Sequence, residues 1–406
     1  MRAARWTWPG ALGVALVLAL VLGLVMMRED EPVAAHAARA PPSAPRPPAP
    51  MPMAAPPDDR AARRGRLLEQ VRLLDHTYCS YLLHSRYPHA SRPAGHHPDQ
   101  LYPNRPVREA NPMRTEGGDS DPAVSLQTSQ SRVYLAAGES VRFSLRAADA
   151  QGQPLALVVT RALAQGMTYG ASRPAPRVTL AFSNDDDDDD DGKGAWNGVL
   201  TPSGTPLAGF HGTIRLEVRY SAAGRQGIVL FDVIHSPILP ATWAGAPREA
   251  VGADALQFAL PLSVRMAGRY IVSGRIDDAA GRPFALATFN EVLGEGAQQV
   301  RLDVHGKLLH DGAPRLPLRL RDVEGYLLRE DADPDRLLLP RLEGEVFASA
   351  TRRLDGVPDT EWQSEERSRY LAEYAKDRNA ARARLAASDP AAPLPPADCA
   401  QPAADQ

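Results

Sequence analysis

The sequence predicts a mainly β protein: two antiparallel β-sandwiches, flanked by an N-terminal transmembrane helix, an amphipathic helix and a C-terminal helix. Three observations lead there. Apolar and polar residues alternate with period two in several segments separated by turn residues. One long charge-free apolar run lies near the N-terminus. Among 406 residues, 38 are Pro, dense towards the two ends, and 31 are Gly, scattered turn-like between, a composition suited to tails around β domains and poorly suited to a compact α/β enzyme.

From Ala11 to Met27 the chain carries no charge and is almost wholly Ala, Leu, Val, Gly and Met; Trp6 and Trp8 extend the run to a spanning length. Arg2 and Arg5 precede it and Glu29, Asp30 and Glu31 follow Arg28, so the positive-inside rule keeps the N-terminus in the cytoplasm. Residues 1–31 therefore read as a cytoplasmic stub and a single-pass anchor in the inner (cytoplasmic) membrane, with the bulk in the periplasm or outside the cell. The rival is a cleaved secretory signal with a small-x-small site at Ala35-His36-Ala37, but that site lies well past the apolar run, beyond three acids and Pro32. No Cys stands directly after the run, which speaks against a lipid-modified N-terminus.

Residues 32–57 are mostly Pro and Ala and favour extended polyproline geometry, a spacer reaching up to ~80 Å at about 3.1 Å per residue. Across 58–120 an amphipathic helix comes first, its stripe set by Leu67, Val71, Leu74, Tyr78, Tyr81 and Leu82. Arg63, Arg64, Arg66 and Arg72 form its polar side, either solvated or facing anionic headgroups. An irregular connection rich in Pro, Asn and Gly follows.

Over 121–237 the period changes to two. Val141, Phe143, Leu145 and Ala147 alternate with Arg142, Ser144 and Arg146, and Ile214, Leu216, Val218 and Tyr220 alternate with Arg215, Glu217 and Arg219. Ala222-Ala223-Gly224-Arg225 then turns the chain into Gly227–Ile234. With no helical crossovers between strands, this region is a sandwich and not a parallel sheet. A second module, 240–350, shows one strand through Leu256, Phe258, Leu260, Leu262 and Val264 and another through Tyr270, Val272, Gly274 and Ile276. Pro261 and Pro317 predict sheet edges or bulges. Helical spacing returns over 358–388, with Thr360 and Gln363 as a capping box and Tyr370, Tyr374, Ala381 and Leu385 as its stripe. Residues 389–406 form a Pro/Ala-rich tail.

The string Gly268–Ala285, Gly-Arg-Tyr-Ile-Val-Ser-Gly-Arg-Ile-Asp-Asp-Ala-Ala-Gly-Arg-Pro-Phe-Ala, resembles the strand-turn-strand signature of bacterial immunoglobulin-like modules of secreted and cell-surface proteins. Leu302–Gly312 resembles a later strand and loop of the same modules. The resemblance covers about 240–350. It implies an immunoglobulin-like sandwich used for adhesion, spacing or display, and it carries no catalytic residue over.

Three features carry candidate chemistry. Cys79 and Cys399, the two cysteines of an exported chain, are candidates for a disulfide that ties the tail to the amphipathic helix; free thiols or bridging between chains are the alternatives. Asp185–Asp191 is an unbroken aspartate run in which Asp187, Asp189, Asp191 and Gly192 match the alternate oxygens and sharp turn of a calcium loop. Position twelve, where the bidentate Glu belongs, is Gly198, so the loop reads as a solvated hairpin or a weak calcium site. His84, His89, His96 and His97 could supply imidazoles to zinc or copper, but their spacing fits no closed tetrahedral site; the segment reads instead as packing its tyrosines against the first sandwich. No His-Glu-x-x-His, Gly-x-Ser-x-Gly, phosphate loop or dinucleotide fingerprint occurs.

A formal charge of −3 with interspersed signs gives no basic face for nucleic acid. The expectation is a membrane-anchored envelope protein of non-enzymatic type, without a cofactor, whose sandwiches present a binding or scaffolding surface to a protein or polymer partner. The alternatives are a calcium- or transition-metal-sensing periplasmic module and an unfamiliar envelope hydrolase.

Overall fold

Alternation of apolar and polar side chains makes each strand one-faced, and a one-faced sheet must cover that face with another. The computed structural model of the protein, which describes residues 59–114, 117–168, 174–184, 194–351, 353–388, 390, 393–396 and 399, solves this twice. The apolar run 11–27, the spacer and the aspartate run lie outside the described residues. Among the described residues no helix is long and apolar enough to cross a membrane.

In the first sandwich one sheet runs Val107–Arg114, Ser120–Gln130, Val141–Asp149, Trp196–Leu200 and Phe182–Ser183 in spatial order. The other runs Tyr134–Ala136, Arg225–Ser236, Gly212–Ala222, Leu157–Gly166 and Arg177–Thr179. Within these sheets the order 120–130, 141–149, 196–200, 182–183 against 225–236, 212–222, 157–166 is similar to the ABED and GFC order of an immunoglobulin sandwich, with Val107–Arg114, Tyr134–Ala136 and Arg177–Thr179 added outside it. Phe143, Leu145, Ile214, Leu216, Val218 and Val233, buried between the sheets, form its apolar core. One pairing is parallel, Ile234–Ser236 against Tyr134–Ala136, where purely antiparallel sheets were expected. The hairpin at Ala223-Gly224 has positive φ at both central residues, 49° and 74°, a two-residue turn whose twist matches its strands.

The second sandwich packs Gly268–Asp277, Pro283–Leu293, Arg319–Leu328, Arg336–Leu338 and Leu342–Ala348 against Ala255–Val264 and Gly296–His305, with Ala241–Trp243 and Arg248–Val251 sharing one margin. Its core includes Leu256, Phe258, Tyr270, Val272, Leu302 and Leu320. The turn 278–281 is closed by Asp278, whose carboxylate accepts from the Ala280 and Arg282 amides and from the Arg282 guanidinium. Burial pushes that carboxyl up, but the hydrogen bonds from Arg282 and Ala280 outweigh it and hold it below the ordinary value.

Among the described residues three α-helices accompany the sandwiches: α1 (Asp59–His84), α2 (Gly306–Gly312) and α3 (Glu365–Ser388). Val71 of α1 packs with Ala381 and Leu385 of α3, as the two apolar stripes require.

The structure corrects several expectations. The supposedly irregular 85–120 contains two strands. Ser91–Pro93 pairs with Ala285–Ala287 of the second sandwich, and Val107–Arg114 pairs with Ser120–Gln130, so the first sandwich begins before residue 121. Pro and charge masked both, and their partners lie far off in sequence or past a turn. Pro261 lies inside a strand, not at an edge. Its missing N–H falls between Ala241–Trp243 and Arg248–Val251, where the neighbouring chain crosses from one short strand to the next. Helix α3 begins at Glu365 and not near residue 358: the Ser364 hydroxyl, not Thr360, accepts from the Arg367 amide as the N-cap. The loop expected near Leu302–Gly312 is helix α2.

Candidate functional site

The two cysteines are joined: Cys79 on α1 bonds Cys399 in the tail, across a separation of 320 residues. Beside the bridge, Asp75 of α1 accepts both Arg382 Nε (3.0 Å) and Nη2 (2.6 Å), and Arg378 lies over the Tyr78 ring at 4.3 Å. Arg382 Nη1 also donates to the Pro395 carbonyl, holding the tail. A second joint fixes these helices to the second sandwich. Arg86 pairs with Asp311 of α2 and with Glu361, Lys307 pairs with Asp311 and Asp359, and buried Arg367 donates to Ser85, Glu361 and Gln363. The Tyr87 hydroxyl donates to Asp311; burial first, then that bond, pushes Tyr87 up to about 12.

The histidines only partly meet. His84 and His96 have ring centroids 5.6 Å apart, whereas His89 faces Trp362 at 6.4 Å. Burial, then neighbouring Arg92 and His96, lower the pKa of His97. Among the described residues no three His, Cys, Asp or Glu side chains gather as metal ligands. Asp187, Asp189 and Asp191 lie outside the described residues. The tyrosines do not pack against the first sandwich. Tyr81 packs with Tyr370 and Tyr374 of α3, Tyr87 packs on the second core, and Tyr102 lies under the guanidinium of Arg275 at 4.8 Å. The strand Ser91–Pro93 explains this, because it binds the segment to the second sandwich.

Between the sandwiches lies a cleft of about 380 Å³ whose walls include Arg105, Arg132, Arg275, Asp322, Glu324 and Arg341. Arg275 is 7% exposed and fully engaged: Nε and Nη2 donate to Asp277 (2.8 and 3.2 Å), Nη2 pairs with Asp322, and Nη1 donates to the Leu101 carbonyl. Asp322 sits in a bulge with φ +51°, strained for a non-glycine, which brings its carboxylate within reach of Arg275 and the Gly344 amide. Burial pushes the Asp277 carboxyl above its ordinary value despite the bonds from Arg275. Across the junction Arg132 pairs with Glu139 and Glu343, Arg341 with Glu139 and Glu324, and Arg336 lies between the rings of Tyr134 and Tyr326. Arg132, Arg275, Asp322, Glu324 and Arg341 are thus engaged in ion pairs that act as a joint.

A larger hollow, about 630 Å³, runs along the side of the first sandwich between Val107–Arg114 and Arg225–Ser236. Three of its apolar side chains face solvent: Val107 at 43%, Val133 at 37% and Leu230 at 50% exposure. Met113 of the first margin strand is fully buried and lies beside Tyr220 and Gly227. Sequence reasoning missed this groove because it is defined by the missing neighbour of a regular strand; the apolar run Ile228–Phe231 in that otherwise alternating strand was its visible sign.

Fold and site together define a protein of two β-sandwiches clamped by a disulfide-linked helix and tail. No family model matches the chain, and no curated protein matches it. Among solved structures it is similar to a DUF4785 family protein from Legionella pneumophila, at 12% identity and a TM-score of 0.36, over 55% of this chain and 57% of that one. It is also similar to E. coli alpha-2-macroglobulin in its native conformation (13% identity, TM-score 0.27, 59% of this chain and 14% of that one). The Yersinia pseudotuberculosis adhesin InvE gives 10% identity and a TM-score of 0.18 over 53% and 58%. The chain spans less than two thirds of each of these proteins.

Proposed function

We propose that this chain is a non-enzymatic, membrane-tethered envelope protein whose first sandwich presents a binding surface to a protein or polymer partner, with the second sandwich and the helices as its mount. The observation that carries this reading is the open groove with its exposed apolar side chains, set on a molecule whose other joints are filled by internal ion pairs. Export is supported by the Cys79–Cys399 disulfide, a bond that persists in oxidising compartments, and the tether by the apolar run 11–27.

Crosslinking in the producing cells, followed by mass spectrometry of what accompanies the detergent-purified protein, tests the reading. We expect one reproducible envelope component, lost from a Val107→Glu/Val133→Glu variant that retains its fold because both side chains are already exposed. Recovery of the chain alone under several crosslinkers would sink the proposal.

A further inference from the structure

Arg225–Ser236 is a margin strand over most of its length, because its outer neighbour Tyr134–Ala136 pairs only with Ile234–Ser236. Along a regular antiparallel strand the N–H and C=O of one residue point to the same side, and successive residues alternate. The Ile234 amide donates outward to the Val133 carbonyl at 2.8 Å, and the Asp232 carbonyl accepts outward from the Gln130 side chain at 2.9 Å. No register shift interrupts the pairing from Ala222 to Gly212, so the outward set continues through Leu230 and Ile228. Among the described residues, the amides of Ile228, Leu230 and Asp232 and the carbonyls of Ile228 and Leu230 have no main-chain partner on that side.

Such an edge is normally guarded by charge, proline, a bulge or shortness. The facing strand Val107–Arg114 carries Pro112 and a bulge next to it. Gly296–His305 carries Arg301 and Asp303, Leu342–Ala348 carries two glutamates and pairs through bulges, and Ser91–Pro93 is three residues long. Ile228–Phe231, which lines the groove, has none of these guards, and Asp232 at its end carries the one charge of the edge, a carboxylate engaged by Arg215 of the neighbouring strand.

We infer that the Ile228–Asp232 edge takes an extended peptide segment of a partner protein, which adds a strand to the sheet end to end with Tyr134–Ala136 and lays alternate apolar side chains into the groove against Val107 and Val133. Unpaired main-chain donors and acceptors select an extended backbone, and the apolar groove beside them selects alternate side chains. Tyr134–Ala136 already shows that the same edge accepts an added strand. The inference rests on the reading of the chain as a binding protein and names the chemistry of its partner.

The full chain, immobilised, is screened against a displayed library of linear peptides of about nine residues, roughly 30 Å when extended, and the tightest binder is synthesised. Expected are apolar residues at alternate positions of that peptide, and amide exchange at Ile228, Leu230 and Asp232 slowed at least about tenfold by it. Leu230→Pro, which removes one outward amide at an edge, is expected to weaken binding about tenfold or more. Leu230→Lys keeps the amide, guards the edge with charge and gives the same loss; it serves as the reading if the proline variant does not fold. No selected peptide, exchange protection elsewhere, or unchanged binding by both folded variants overturns the inference. An envelope partner recovered by crosslinking in cells but indifferent to both variants overturns it while leaving the broader reading intact; recovery of the chain alone removes that reading.

Discussion

The two sandwiches share a layer plan and differ in what completes them. The first is built from one continuous stretch, is filled by apolar side chains and leaves a long strand edge open. The second is assembled from distant pieces: Ser91–Pro93 supplies an outer strand, the segments that follow α1 and precede α3 pair through Arg86 and Asp359 with α2, and a buried arginine joins two aspartates inside its sheet. Buried charge and non-local closure make a unique arrangement costly to leave, whereas a plain apolar core tolerates an unfinished margin. The contrast assigns rigidity to the second module and availability to the first.

The sharpest way to break this contrast is Arg275→Ala. It strands Asp277 and Asp322 among buried groups, and we expect a loss of about 3–5 kcal/mol in denaturant unfolding. Amide exchange should rise first in Arg319–Leu328 and at residues 101–105, not in Val141–Asp149. A variant as stable as the parent would mean that the buried charges are not what holds the second module.

Next in size is Cys79→Ser/Cys399→Ser. Closing so long a loop restricts the unfolded chain, and its removal should cost about 2–4 kcal/mol. The loss should read out as faster exchange in α1 and in the tail, with the hairpin Gly212–Ser236 unchanged. Equal loosening of both sandwiches would contradict the division of roles.

Titration compares the modules at one buried histidine each. Burial lowers the pKa of His235 in the first and of His305 in the second, with the Phe210 carbonyl opposing the shift at His235. A histidine whose folded pKa lies below its unfolded value binds its proton in the unfolded chain first, so stability is full above about pH 6.5 and falls as pH drops below it, by no more than about 1.4 kcal/mol per pH unit for each proton. Unfolding midpoints at pH 7.5 and 5.5 should separate, and His305→Gln should narrow the gap. A midpoint independent of pH over that range would remove both histidines from the account.

The smallest effect belongs to the first module alone. Ala223 occupies a left-handed position that Asn adopts at lower cost, so Ala223→Asn should stabilise by about 0.3–1 kcal/mol, measured as an upward shift of the thermal midpoint. No shift would show that the hairpin turn is already relaxed.

Much of the first module was legible because its strands announce themselves locally: Val141–Ala147 and Ile214–Tyr220 alternate cleanly, and the turn at Ala223-Gly224 lies where the pattern breaks. The stripes of α1 and α3 and the pairing of two lone cysteines were legible for the same reason. The second module hid its closure. Ser91-Arg92-Pro93 has no strand signature and becomes one only because Ala285–Ala287 offers an edge almost two hundred positions later in the chain. Arg367 reads as a solvated helix residue, yet it is buried where Ser85, Glu361 and Gln363 converge. The groove was equally hidden, since what defines it is the missing neighbour of a strand, and a missing neighbour leaves no mark on local spacing.

The disulfide also fixes how the molecule carries load. Tension entering through α1 and leaving through Cys399 crosses directly at Cys79, so everything between those two cysteines lies outside the line of force. Both sandwiches are thus suspended as a slack loop from a covalent clasp. A pull applied between α1 and the tail, of the kind that would peel an ordinary tandem array apart strand by strand, would reach the bridge first and leave the first sandwich unstretched.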